Sequence, residues 1–196
     1  MENVPHVDME ALLRESRAIR EEATGLMREF RLVEQFRQYG EVELAGSYRW
    51  DLMMRRDLDF YVINPATDLD LALEALNGFV RRGDFLRFGF IESVRGKPWQ
   101  TTPESYPTGY YLGMAREFGE GDWKVETWYL RSPYPHPDWL VKPMTEEARR
   151  TILRLKHLRN CGHLNCDGFH LYEAVLLGGA REPEEVRAWL DREAGK

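Results

Sequence analysis

The chain reads as an α+β protein: a mixed β-sheet with helices on one face, followed by a small helical C-terminal unit. Three features predict this class. Short runs alternating apolar and polar residues recur between residues 42 and 130, separated by glycine, proline or aspartate. Two amphipathic helical segments, one before these runs and one among them, offer apolar faces to cover one side of a sheet. Beyond Ser132-Pro133-Tyr134-Pro135-His136-Pro137 the strand pattern stops and only helical spacing remains. The expected division is a core over residues 1–140 and a helical subdomain over 141–196.

Taken in order, the first element is a long helix from about Asp8 to Tyr39. Leu12, Ile19, Leu26, Phe30 and Val33 recur there at helical spacing, and Gly40 stops it. Val42 to Ser47 is a short strand running into a turn, and Ser47 to Met54 has the length of about two helical turns. Asp57 to Ile63 alternates strictly and reads as a half-buried strand. Pro65-Ala66-Thr67-Asp68 leads into a helix over Leu69 to Arg82, with Thr67 or Asp68 as its cap. Phe85 to Val94 and Gly109 to Arg116 read as strands. The second of these forms a hairpin with Trp123 to Leu130 around Gly119-Glu120-Gly121-Asp122. The Pro-rich stretch from Arg95 to Pro107 suits a loop at the mouth of a site. Helices follow over Glu146 to Arg159, Gly168 to Leu177, and Pro183 to Arg192, where Pro183 is a first-turn residue.

The chemistry concentrates in two of these elements. On a strand, side chains at i and i+2 share a face, so Asp57, Asp59 and Tyr61 point one way and Leu58, Phe60 and Val62 the other. That sets two carboxylates roughly 6 to 7 Å apart along one face. Like charges so close raise each other's pKa, and a cation between them relieves the repulsion. Hard oxygen ligands without nearby Cys or His suit Mg²⁺ or Mn²⁺ better than zinc. A solvated strand face would show the same alternation, so the turn before it matters. Gly46 lets the backbone come close to a phosphate with positive φ, and Ser47 offers a hydroxyl and an N–H to a phosphate oxygen.

Strand, Gly46-Ser47, a nine-residue spacer, then Asp57-Leu58-Asp59-Phe60 resembles the hallmark of the nucleotidyltransferase superfamily of DNA polymerase β. The small bacterial members that modify antibiotics or pair with toxins are similar in size. The resemblance implies a nucleotidyltransferase core in which Asp57 and Asp59 hold Mg²⁺ or Mn²⁺ and a nucleoside triphosphate, ATP or another, is the substrate. It also implies a third acid on a later strand. In Trp123 to Leu130, Lys124 and Glu126 share the face opposite to Val125 and Thr127, making Glu126 the third ligand, where many relatives carry Asp; Asp122 is the alternative. Gly46 and Ser47 would cradle the triphosphate, and Arg49, Arg55 and Arg56 in the spacer are placed to match its charge. Lys124 is either a phosphate ligand or the ion-pair partner of Glu126.

The implied reaction moves a nucleoside monophosphate to a hydroxyl of a small molecule or protein and releases pyrophosphate. Two other readings share the scaffold: a catalytically silent nucleotide- or partner-binding relative, and an antitoxin-type partner of a small helical protein. The C-terminal helices would serve as a lid or acceptor platform. His157, Cys161, His163, Cys166 and His170 form a second cluster, but their spacing matches no zinc finger or ribbon, and buried cysteines with helix-capping histidines explain it better than zinc.

Composition bounds these readings. In 196 residues, 43% hydrophobic and 12% aromatic, there is enough material for one real core with an appended unit. The net charge of -6, without a basic tail, disfavours a long nucleic acid as partner. No apolar run is long enough for a bilayer, the N-terminus does not resemble a signal peptide, and two cysteines suit the cytoplasm.

Overall fold

Five strands form one mixed sheet in the computed structural model, which describes residues 7–95, 106–137, 140, 142 and 144–194. In chain order they are β1 (Glu41–Ala45), β2 (Asp57–Ile63), β3 (Arg87–Ser93), β4 (Gly109–Phe118) and β5 (Gly121–Leu130), and across the sheet they run β1-β2-β5-β4-β3. β2 and β5 are parallel neighbours; the other three pairings are antiparallel. The helices are α1 (Met9–Glu29), α2 (Leu32–Phe36), α3 (Gly46–Arg49), α4 (Leu69–Arg82), α5 (Glu146–Asn160), α6 (Gly168–Leu176) and α7 (Pro183–Ala194). This is the expected α+β class, with a mixed sheet and C-terminal helices.

Residues Ile19–Pro135 make one compact unit, and Met1–Ala18 with His136–Lys196 make another. The first eighteen residues therefore group with the C-terminal helices rather than with the sheet. Leu12 and Leu13 are buried, and Glu10 pairs with Arg150 at 2.8 Å.

In the sheet unit, alternation does the work. Leu58, Phe60 and Val62 of β2 and Val125 of β5 are fully buried, as are Leu26, Phe36, Ala72 and Ala75 from α1, α2 and α4. These residues form one apolar cluster, with Phe36 packed 4.9 Å from Phe60 and 5.1 Å from Phe79 between ring centroids. Within this unit α1, α2 and α4 thus cover one face, and Asp57, Asp59 and Glu126 lie on the other, which these three helices leave open. α4 starts where Asp68, not Thr67, accepts a bond from the Leu71 N–H at 2.9 Å, and ends at Gly83 with φ 69°.

The structure departs from the sequence expectations in two places. The first helix does not run to Tyr39: it ends at Glu29, and Arg31, with φ 48°, turns the chain into α2. The stretch after Gly46 is not two helical turns either. α3 lasts four residues, Asp51 takes φ 57°, and Leu52, Met53 and Met54 run on buried. Burying three successive apolar side chains suits an irregular segment wedged into a core better than a helix with one apolar stripe. The expected mouth loop falls largely on residues 96–105, with Trp99, outside the described residues.

In the second unit α5, α6 and α7 pack through Ile152, Leu155, Leu158, Leu171, Ala174 and Val186, all fully buried. Thr145 and Asp167 cap α5 and α6 by accepting the N–H groups of Ala148 and His170.

Candidate active site on the open face of the sheet

Register brings the predicted residues together. On the open face, Ala45, Asp59, Glu126, Gly113 and Gly89 lie side by side in one row across the five strands. Asp57 stands beside Lys124 one step along, and Tyr61 beside Trp128 on the other side. Two residues 67 positions apart in sequence, Asp59 and Glu126, are thus direct neighbours because β2 and β5 pair in parallel.

Gly46 is fixed here by two independent demands. Its φ of 55° lies in the left-handed region, and a Cβ on it would collide with the Asp59 carboxylate at Oδ2. The turn backbone therefore presses against Asp59, the first acid of the row, and Ser47 beside it is buried at 8% exposure. The guanidinium of Arg20, on α1, bonds the Tyr48 carbonyl, sits 4.2 Å over the Tyr48 ring and approaches Asp51 at 3.7 Å, pinning the irregular segment.

Glu126 is held from two sides. Tyr111 of β4 donates its hydroxyl to Oε1, and Lys124 Nζ lies 2.8 Å from the same oxygen. Burial, and after it the bond to Glu126, keeps the Tyr111 phenol above its ordinary value, so that it remains a donor. Gly113 makes this possible: a Cβ there would stand 2.6 Å from the Tyr111 hydroxyl, so the phenol crosses the strand over a bare backbone. Of the two roles open to Lys124, the ion pair with Glu126 is the one formed.

The spacer arginines divide. Arg49 bonds Glu43 of β1, whose register partner is Tyr61, and lies 4.9 Å over the Trp50 ring. It stays at the β1 edge of the open face. Arg56 reaches Glu22 of α1 through its Nε and Nη2 at 2.8 and 2.9 Å. Arg55 is exposed. Asp122, the alternative third acid, is paired with Arg87 at 3.0 Å.

Two aspartates share a strand face, one lies against the Gly46 backbone, and a glutamate lies beside it in register, all oxygen donors of the type hard divalent cations take. Among the described residues, however, no three His, Cys, Asp or Glu side chains stand in an arrangement that could hold a metal. The bonds from Tyr111 and Lys124 occupy Glu126 instead. The same absence covers the histidine and cysteine cluster. Cys161 Sγ is 3.7 Å from His157 Nε2, His170 Nδ1 is 2.8 Å from Asp167, and burial raises the Cys166 thiol.

Sequence reasoning missed Tyr111, Arg20 and the row of small residues beyond Glu126. Alternation in β4 puts Tyr111 and Gly113 on one face, but only the register with β5 shows that both adjoin Glu126. No protein-family model matches this chain, and no curated protein matches it closely enough to count as a relative.

Proposed function

We propose that the protein is a metal-dependent nucleotidyltransferase, moving a nucleoside monophosphate from a triphosphate to an acceptor hydroxyl. The observation that carries this is the contact between the Gly46 turn and Asp59, in register with Glu126 and on the same face as Asp57. A turn without a side chain, packed on one of two paired carboxylates, is an arrangement in which triphosphate oxygens and acids can share one cation.

Magnesium or manganese bound at Asp57 and Asp59 would supply charge neutralisation along the triphosphate and acidify the acceptor hydroxyl. The acceptor oxygen bonds to the α-phosphorus as the bond to the pyrophosphate oxygen breaks, and pyrophosphate leaves. The hydroxyl proton passes to a Glu126 carboxylate oxygen and then to water. Arg49, at the β1 edge, is the nearest spacer cation for the phosphates, and Lys124 balances Glu126 between turnovers. Cytoplasmic residence accords with two free cysteines, Cys161 and Cys166, and among the described residues no helix is long and apolar enough to cross a membrane.

A second reading, a silent relative that binds nucleotide without turnover, draws on the hold of Tyr111 and Lys124 on Glu126. Calorimetric titration with ATP and the other common triphosphates, with and without Mg²⁺, separates the two. Wild type should bind one triphosphate only with metal, and Asp59→Asn should weaken that binding by about 100-fold. Pyrophosphate release on adding hydroxyl compounds marks the transferase; binding without release marks the silent relative. Equal affinity in wild type and Asp59→Asn would remove the site from both.

A further inference from the structure

Beyond Glu126 the row continues as Gly113 and Gly89. A cavity of about 390 Å³, predominantly apolar, opens over β3, β4 and β5, its lining including Arg87, Gly89, Tyr111, Gly113, Ala115, Asp122 and Lys124. Its volume is that of a small-molecule site. Its inner edge is Tyr111 and Lys124, the two residues that hold the Glu126 carboxylate.

The two glycines in this floor differ. Gly113 is bare because the Tyr111 phenol crosses it. Gly89, its register partner on β3, has no such reason: its backbone lies outside the left-handed region, and among the described residues a Cβ there would meet nothing within 4 Å. Glycine inside a strand weakens it, and where no turn or neighbour demands it, the remaining use is close approach of another molecule to the backbone. The floor is therefore flat peptide, walled by an aromatic ring that itself packs on Trp128 at 5.3 Å. Two cations, Arg87 and Lys124, stand at the rim, both more than half exposed and each paired with a carboxylate, Asp122 and Glu126.

We infer that this cavity is the acceptor site, and that the acceptor is a planar, electron-rich aromatic compound carrying a hydroxyl. This rests on the transferase reading above. A flat ring lies on the peptide floor at Gly89, its face or edge against Tyr111, with its π electrons attracted by Arg87 and Lys124. Its hydroxyl then points along the row toward Glu126 and Asp59, where the oxygen forms its bond to the α-phosphorus, the proton leaves to the carboxylate, and pyrophosphate departs.

The probe is 4-methylumbelliferone, a planar phenol whose fluorescence anisotropy reports binding to the full chain. Wild type and Gly89→Ala should both bind it, because one methyl leaves most of the cavity open. Gly89→Phe should lose it while keeping the circular dichroism, melting temperature and Mg²⁺-triphosphate affinity of wild type. Ala115→Leu, which fills the cavity from β4, should also lose it and serves if Gly89→Phe does not fold. Absence of binding to wild type, or equal binding to the filled variants, overturns the inference. If the probe binds in a Gly89-dependent way but no triphosphate binds, the transferase reading fails and takes the acceptor role with it, leaving an aromatic-binding cavity.

Discussion

At Gly46 the requirements of backbone and site coincide, so its substitution is informative. Gly46→Ala must hold a left-handed φ with a Cβ and also push the Asp59 carboxylate aside. The conformational part alone costs roughly 1–2 kcal/mol, and urea denaturation should show at least that loss. Triphosphate affinity should fall along with it, because Asp59 is displaced. A variant as stable as wild type would mean the turn relaxes without cost. Lys124 and Tyr111 show the opposite case, in which residue type said little. Neither is a metal ligand, yet together they decide where the Glu126 carboxylate rests. A glutamate at this position, one methylene longer than aspartate, reaches back across Gly113 to the phenol.

Elements were legible wherever one face is buried and the other wet. β2 came through to the residue because Leu58, Phe60 and Val62 are fully buried while Asp57, Asp59 and Tyr61 are not. α4 was legible over its observed bounds, Leu69 to Arg82, with the cap left between Thr67 and Asp68. Asp68→Ala should cost about 1 kcal/mol in thermal or urea unfolding, whereas Asp68→Asn, which can still accept the Leu71 N–H, should cost little. Equal losses would show that the bond is not what matters there. The break at Arg31 was hidden because Leu26, Phe30 and Val33 continue the helical spacing straight through it, and no glycine or proline marks it. The segment from Leu52 to Met54 was hidden for a related reason: a continuous apolar run has no period that separates helix from buried irregular chain. Gly89 escaped notice because a lone glycine in a strand pattern acquires meaning only once its neighbours on β4 are known.

On the scale of the sheet unit as a whole, Glu22 ties distant segments together. From α1 it accepts two bonds from Arg56, just before β2, and a 3.4 Å bond from the Trp123 indole N–H in β5. Arg56 hydrogen bonding leads the causes that hold the Glu22 carboxyl below its ordinary value of 4.5, with the backbone at Glu120 adding to it. A carboxyl lowered on folding stabilises the native state fully above its unfolded value and loses that contribution as pH falls through the folded one. The stability gap between wild type and Glu22→Gln should therefore be widest near neutrality and close as pH drops below 4.5. A gap that persists undiminished in acid would assign it to packing rather than charge.

The place of β5 between β2 and β4 also has a consequence for synthesis. While the chain is emerging, β2 has β1 as a hairpin-like neighbour on one side, but its other edge lacks a partner until residues 121–130 have been made. That open edge alternates Leu58, Phe60 and Val62 with Asp57 and Asp59. The two aspartates are thus also the gatekeepers of a nascent strand: their mutual repulsion discourages a second copy from pairing there before the native partner arrives.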